Sequence, residues 1–366
     1  MNCANPDPAA AGFDPIRLRR AAEILEDGVR DGLFPGGTVW VSRRGIDALV
    51  CSAGRTEFGG GVEVDEHTLF DLASVTKPVA TGSAMLLLAQ EGRLHFGEPV
   101  TDFFGDRKLP HLAGVTLRHL LTHTSGLPAW RDLYSRGQTR DEAIDELFAI
   151  PPDNPPGARY VYSCLGYIIL HLAAQEVSGR RFDEFCRERI FEPMGMLSTM
   201  FNPPADGCVI AATDHCPARK RKLVGEVHDG NAWALGGVSG NAGLFSTAAD
   251  LAIFCRNITC ESAGGSSPLL GPTALRKVFE NAIPQSTGGQ SIGWFTASND
   301  MLPAGDFASC EAIGHSGFTG TAVVIDPGWE LFAILLTNRV CREDDGVRFR
   351  HLRRRLFNAV FGSIVC

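Results

Sequence analysis

The sequence predicts a mixed α/β (α+β) fold: a central antiparallel sheet flanked by helices, with an all-α domain inserted into it. Three observations carry this. Runs of β-branched and apolar residues fall near the two ends of the chain, at 38–53, 69–72 and 312–337. Helical patterns fill the stretch between them, about 78–225. Short turns, Arg44-Gly45 and Asp326-Pro327-Gly328, join neighbouring β-runs, as antiparallel strands allow. The sheet domain is therefore expected from both termini, residues 1–77 and 226–366, around a mainly helical insert at 78–225.

Each element has a local reason. In Pro15–Arg30, Ile16, Ala21, Ile24, Leu25 and Val29 recur at helical spacing. Asp14 supplies an N-cap, and Pro15 suits the first helical position. Gly36-Gly37 ends that pattern. Thr38–Arg43 and Ile46–Ala53 then form a hairpin, and Leu69–Leu72 is a third β-like run. Ala80–Glu91 is a helix closed by Gly92, and Leu117–His123 a short one capped by Thr116. Arg140–Ile150, Leu165–Val177 and Phe182–Ile190 are further helices, separated by Pro- and Gly-rich loops. Leu235–Phe245 is a Gly-rich loop, Thr247 caps a helix to about Asn257, and Glu261–Pro268 is a polar surface loop. Ala312–His315, Thr321–Asp326 and Leu331–Thr337 are the last strands. Val347–Val360 closes the chain as a helix. Leu352, Leu356 and Val360 form its buried stripe, and Arg353-Arg354-Arg355 its solvated face.

Composition narrows the function classes. Hydrophobic residues make up 44% and charged residues 21% of the 366, an ordinary globular balance. Acids outnumber bases 42 to 34, for a net charge of −8. That argues against a nucleic-acid binder, despite the basic run Arg219-Lys220-Arg221-Lys222. No apolar run approaches the roughly 20 residues that span a bilayer. Met1–Gly12 lacks the basic and apolar regions of a signal peptide. A soluble cytoplasmic protein is expected. The 11 cysteines are odd in number and contain no Cys-x-x-Cys pair, so they read mostly as small buried residues. Asp214, His215, Cys216 and His228 match no zinc-site spacing, and neither metal nor cofactor is expected. The Gly-x-Ser-x-Gly turn of an α/β-hydrolase is not expected either.

Three motifs carry chemistry. Ser74-Val75-Thr76-Lys77 is the chain's only Ser-x-x-Lys. Residues three apart share a helix face, so hydroxyl and amine can meet. A β-like run leads in and a long helix follows, which places Ser74 where backbone N–H groups favour negative charge. A desolvated lysine can then serve as its base. Alone, the tetrapeptide also fits an ordinary first helical turn. The second motif is Tyr160-Val161-Tyr162-Ser163-Cys164, where a loop tyrosine beside a lysine could relay protons or simply pack. The third is Gly314-His315-Ser316-Gly317-Phe318-Thr319-Gly320, either a strand edge that lets substrate approach the backbone or a tight hairpin.

In this order, the three motifs resemble the class C β-lactamase-related family of penicillin-recognising serine hydrolases. Leu117–Pro128 and the stretch from His228–Asn231 through Gly243–Ser246 extend the likeness, which runs from about Ile16 to Val360. The resemblance implies that Ser74 is the acylated nucleophile and that Lys77 and Tyr162 share the general-base role. It implies an oxyanion hole from the backbone N–H groups of Ser74 and Phe318. The active site would lie where the sheet domain meets the helical insert.

Two departures bear on substrate. The penicillin-acting members carry Lys-Thr-Gly where this chain has His315-Ser316-Gly317, and histidine is mostly neutral at pH 7. They also carry an asparagine two positions after the tyrosine, where this chain has Cys164, which lacks the amide. Both changes favour carboxylic esters over β-lactams and D-Ala-D-Ala peptides. The expected function is therefore a serine esterase acting on a small-molecule ester or amide. A peptidase, carboxypeptidase or β-lactamase of the same family is one alternative, and a non-catalytic ligand-binding member another. His315, Ser316, Gly317, Cys164, Trp130 and Trp233 are the expected substrate contacts; Trp130, Tyr134, Trp233 and Phe318 either wall an apolar pocket or simply pack in the core. His119 and His123 are expected to brace the Thr122–Pro128 loop. Oligomeric state is left open.

Overall fold

The computed structural model describes residues 6–365, apart from 106, 214, 217–218, 263–266 and 342–345 and the side chains of 215 and 260–262. Its first strands are β1 (Gly36–Arg43), β2 (Ile46–Glu57) and β3 (Gly60–Glu63). Five short ones follow: β4 (Phe70–Asp71), β5 (Met200–Phe201), β6 (His215–Cys216), β7 (Arg221–Lys222) and β8 (Leu244–Ser246). The last are β9 (Phe295–Thr296), β10 (Ile313–Ser316), β11 (Ala322–Asp326) and β12 (Leu331–Thr337). Seven of these make one antiparallel sheet in the order β3-β2-β1-β12-β11-β10-β9. At its centre Gly37 faces Thr337 and Arg43 faces Leu331, so the two ends of the chain meet there. Strands β4, β8 and β5 form a separate small sheet.

The helices are α1 (Pro15–Arg30), α2 (Ser83–Gln90), α3 (Leu117–Leu121), α4 (Arg140–Ala149), α5 (Cys164–Ser178) and α6 (Phe182–Cys186). After them come α7 (Glu192–Met194), α8 (Gly230–Ala234), α9 (Ala248–Ser262), α10 (Pro272–Phe279) and α11 (Val347–Phe361). Asp14 caps α1 by accepting from the Ile16 and Arg17 N–H groups, with Pro15 at the first position. Thr116 and His119 close a reciprocal capping box on α3.

Period-two alternation splits the sheet's side chains between two cores. Val39, Val41, Val324, Ala333 and Leu335 pack with Leu18 and Leu25 of α1 and Leu352, Leu356 and Val360 of α11. Trp40, Val323, Ile325, Ile334 and Leu336 face the other way, into the core shared with α2, α5 and α9. Burial on both faces is why these strands read as continuous apolar runs. Helix α5 is apolar all round because every residue from Leu165 to Ala174 is buried. Truncating one of them, as in Ile169→Ala, costs roughly 2–5 kcal/mol.

Several expectations are corrected. Ile16 is 86% exposed, because α1 turns its buried stripe through Leu18, Ala21 and Leu25 instead. Leu69–Leu72 joins the small sheet through β4, not the main one. Strand β2 runs four residues beyond Ala53, and α9 extends past Asn257 into the expected 261–268 loop, of which 263–266 lie outside the described residues. Helix α10 was not expected at all. Of the described cysteines all are free, but only Cys186 and Cys255 are buried and Cys310 is exposed, so small-residue packing explains only some of them. Among the described residues no helix is long and apolar enough to cross a membrane.

Candidate active site

Ser74 sits on a single 3-10 turn between β4 and a wide helical turn, Lys77–Gly82, that leads into α2. This turn is pinned from several sides. Asp71 accepts from the Ala73 N–H (2.8 Å) and the His228 N–H (2.7 Å). Thr319 donates to the Asp71 carbonyl (2.6 Å) and Thr321 to the Leu72 carbonyl (2.9 Å). Ala73 is held at a φ of +47°, left-handed backbone that a non-glycine residue adopts only when its surroundings enforce it. Burial pushes the Asp71 carboxyl up from the ordinary range, against the two N–H groups that favour its charged form.

The three-residue spacing does what helical geometry predicts. Lys77 Nζ donates to Ser74 Oγ at 2.9 Å. Its side chain is fully buried, and Nζ also donates to the Asn241 carbonyl at 2.9 Å and lies 3.5 Å from Cys164 Sγ. The ammonium stands 5.1 Å from the centre of the Tyr162 ring and 5.7 Å from that of Tyr167.

Tyr162 reaches the same end of the cleft from the loop before α5. His123, at a φ of +57°, braces that loop: its Nδ1 accepts from the Ser163 N–H (3.0 Å) and its carbonyl from Val161 (2.8 Å). Ser163 and Cys164 are tied to the Pro128 and Ala129 carbonyls. Burial first, then Cys164, drives the Tyr162 phenol well above its usual pKa, while the Ser74 hydroxyl beside it favours the phenolate. Burial and Lys77 drive His123 and His315 well below the usual histidine value, so both are neutral at pH 7.

His315 lies on β10, stacked on Phe295 with ring centres 4.4 Å apart. Gly317 follows where a side chain cannot fit: a Cβ would come 2.2 Å from Thr321 Oγ1 and 2.4 Å from the Leu72 carbonyl. Phe318 is 63% exposed. Among the described residues, no backbone acceptor meets the Ser74 or Phe318 N–H. The cleft here has a volume of about 660 Å³ and is lined by Ser74, Tyr162, Ser316, Gly317 and Phe318 among others. Trp130 and Trp233 are half-exposed, and neither is among the described residues that line it. Trp233 instead stacks under the Arg219 guanidinium at 4.8 Å, and Tyr134 packs on Gly230.

Sequence reasoning missed Asp71 and Asn241, which act here through a carboxylate and a backbone carbonyl and carry no local motif. It also missed that Arg353 lines the cleft, where it is only partly exposed, whereas Arg354 and Arg355 are exposed as expected. Its position had a signal. Arg353 is four residues from both Phe349 and Phe357, which are buried, and so shares their helix face. The Gly-x-Ser-x-Gly spacing does occur, at Gly289-Gln290-Ser291-Ile292-Gly293. Ser291 is fully buried and donates to the Val278 carbonyl, so it is a packing residue. Of the residues considered for a metal, Asp214 and the His215 side chain lie outside the described ones.

A hydroxyl, an amine and a phenol thus converge at one end of a cleft, beside two N–H groups that no described residue engages. That set suits nucleophilic acyl transfer. The beta-lactamase family model matches residues 21–356. The chain belongs to the beta-lactamase family. As a member it is a serine hydrolase, and its relatives differ in substrate. It is 33% identical over 370 residues to a putative D-alanyl-D-alanine carboxypeptidase of Escherichia coli (strain K12), covering 91% of this chain and 84% of that one. It is 30% identical over 373 residues to an N-acetylmuramyl-L-alanine amidase of Bacillus subtilis (strain 168), covering 90% and 82%. In structure, this beta-lactamase-family chain is similar to the octameric penicillin-binding protein homologue from Pyrococcus abyssi. The TM-score is 0.75 at 20% identity, over 94% of this chain and 78% of that one, a likeness of fold.

Proposed function

We propose that the protein hydrolyses carboxylic esters through an acyl-enzyme on Ser74. The 2.9 Å contact between Lys77 Nζ and Ser74 Oγ, at the mouth of a cleft, carries this reading. Ser74 Oγ attacks the ester carbonyl while its proton passes to Lys77 Nζ. The carbonyl oxygen gains negative charge and takes the N–H groups of Ser74 and Phe318. Two such donors lower the barrier by several kcal/mol, on the order of 3 for each. Tyr162, kept protonated by burial, passes a proton to the departing alcohol and recovers one from Lys77. Water then attacks the acyl-enzyme and gives its proton to the same pair, which returns one to Ser74 Oγ as the acid is released. Ser74 and Ser316–Phe318 would come from the sheet domain, 1–77 with 226–366, and Tyr162 and Cys164 from the 78–225 insert.

Cys164 and the neutral His315 support ester over amide, because neither supplies the amide or the cation that a peptide or β-lactam would use. A second reading, amide cleavage, is favoured by the names of the two relatives, an amidase and a carboxypeptidase. Turnover of p-nitrophenyl acyl esters is to be compared with that of nitrocefin, D-Ala-D-Ala peptides and N-acetylmuramyl-L-alanine. Inert esters beside a cleaved amide would transfer the assignment to the second reading. Fluorophosphonate labelling mapped by mass spectrometry tests both, since folded protein without an adduct on Ser74 is not a serine hydrolase of this mechanism.

A further inference from the structure

One wall of the cleft is made of guanidinium groups. Arg339, Arg350, Arg353 and Arg354 line the same cavity as Ser74 and Ser316–Phe318. Arg339 lies over Phe318, 4.8 Å from its ring centre, which brings the cluster to the residue after Gly317. A Cβ on Gly346 would stand 3.2 Å from an Arg339 nitrogen and 3.3 Å from one of Arg350, so these two charges converge on one point. The Arg353 Nε is enclosed and has no hydrogen-bond partner among the described residues. Burial, then Arg339, Arg350 and Arg354, depress its pKa to about 10. Asp300, at the cavity's edge, is the acid among the described lining residues.

Arg350, Arg353 and Arg354 bring like charges to one wall of the cleft, which costs the empty protein stability, and the partly buried Arg353 guanidinium with an idle donor adds to that cost. An anion reverses both effects. A single carboxylate is matched by one guanidinium fork, whereas this wall offers several. A compact dianion uses them together.

We infer that the cleft recognises a substrate bearing a compact dianionic group, a phosphate monoester or a paired carboxylate, held by Arg353, Arg350 and Arg354 next to the scissile bond. This rests on the Ser74 hydrolase reading for its substrate role, but the anion site itself does not. The chemistry at Ser74 is unchanged; the arginines set which acyl compounds dwell there.

The test is competition at constant ionic strength. Turnover of the neutral ester p-nitrophenyl butyrate is measured with added inorganic phosphate, glutarate or acetate. Phosphate or glutarate should compete about tenfold better than acetate, and whichever wins identifies the phosphate or dicarboxylate form. Arg353→Gln and Arg350→Gln should each weaken that competition about tenfold, while neutral-ester turnover stays within about twofold. Arg350 is exposed, so its variant reports even where Arg353→Gln fails to fold. Equal competition by all three anions, or competition unchanged in both variants, overturns the proposal. So does phosphate binding that appears only after Glu343, Asp344 and Asp345, which lie outside the described residues, are neutralised. Calorimetry with phosphate on Ser74→Ala separates the two readings. Binding there without ester turnover in the wild type keeps the anion site and removes the esterase. Ester turnover without phosphate binding does the reverse.

Discussion

Lys77 and Asn241 are 164 positions apart, yet the lysine amine donates to the Asn241 carbonyl at 2.9 Å. That bond aims Nζ at Ser74 from the far side and fixes it without a carboxylate. A backbone carbonyl orients the amine without adding a negative charge that would hold its proton.

Lys77→Met should therefore separate activity from stability. The variant keeps the length of the side chain but leaves the Asn241 carbonyl without this donor, at a cost of about 1–3 kcal/mol. The protein is expected to stay folded with a modestly lower melting temperature, while kcat/KM falls by about 10³-fold or more, as for Ser74→Ala. A Lys77→Met protein with near-native turnover would mean that the proton goes elsewhere.

Cys164 offers a chemical handle on the same amine. Its Sγ is 3.5 Å from Lys77 Nζ and partly accessible. Alkylation with iodoacetamide should block the cleft and remove most ester turnover, and Cys164→Ser should resist. Peptide mapping reads the extent of modification. Full activity with Cys164 fully alkylated would place the thiol outside the reacting volume.

Gly317→Ala tests the oxyanion geometry. The added Cβ meets a backbone oxygen, that of Leu72, at 2.4 Å, so the strand must shift away from the turn that carries Ser74. A loss of about 10²-fold in kcat is expected from displacing the Phe318 donor. Overpacking of this kind costs about 1–3 kcal/mol, which urea unfolding would register. Unaltered kcat would show that Phe318 N–H is not used.

Acid should weaken the fold before it alters carboxylates. Burial lowers His171 to about 3, from an ordinary value of 6.5. A group depressed in the folded state takes up its proton more readily when unfolded. Its contribution is therefore complete above pH 6.5 and is lost as pH falls from there toward 3. Between pH 7.5 and 5.0, His171 alone should cost up to about 2 kcal/mol of unfolding free energy. His123 and His315, also depressed by burial, act in the same direction. His171→Leu should flatten the pH dependence of urea midpoints, and a slope identical to wild type would contradict this.

Local patterns were legible where local physics decides. Asp14-Pro15 marked the start of α1, and the Ser74–Lys77 contact followed from helical spacing. Strand positions were legible because both sheet faces are apolar. Which sheet a strand joins was not: Phe70 pairs with Ser246, a partner no nearby residue specifies. Asn241 was invisible because its contribution is a carbonyl, which every residue has. Arg353 misled because charge argued for solvent while its spacing from Phe349 and Phe357 argued for the interior. Both hold in part, because that helix face borders a cleft and Arg353 is partly exposed there.

Strand β12 supplies β1 with one of its two neighbours, about 300 residues after β1 leaves the ribosome. Until residues 331–337 emerge, the first hairpin has an open edge. The wall formed by β10 and β11 has nothing to join it to that hairpin. Such long-range closure is slow and exposes apolar edges while it waits. During synthesis, then, the Ser74 turn stays without its Thr319 and Thr321 anchors until the chain is nearly complete. The Ser74 site is therefore completed late, by the last strands to emerge.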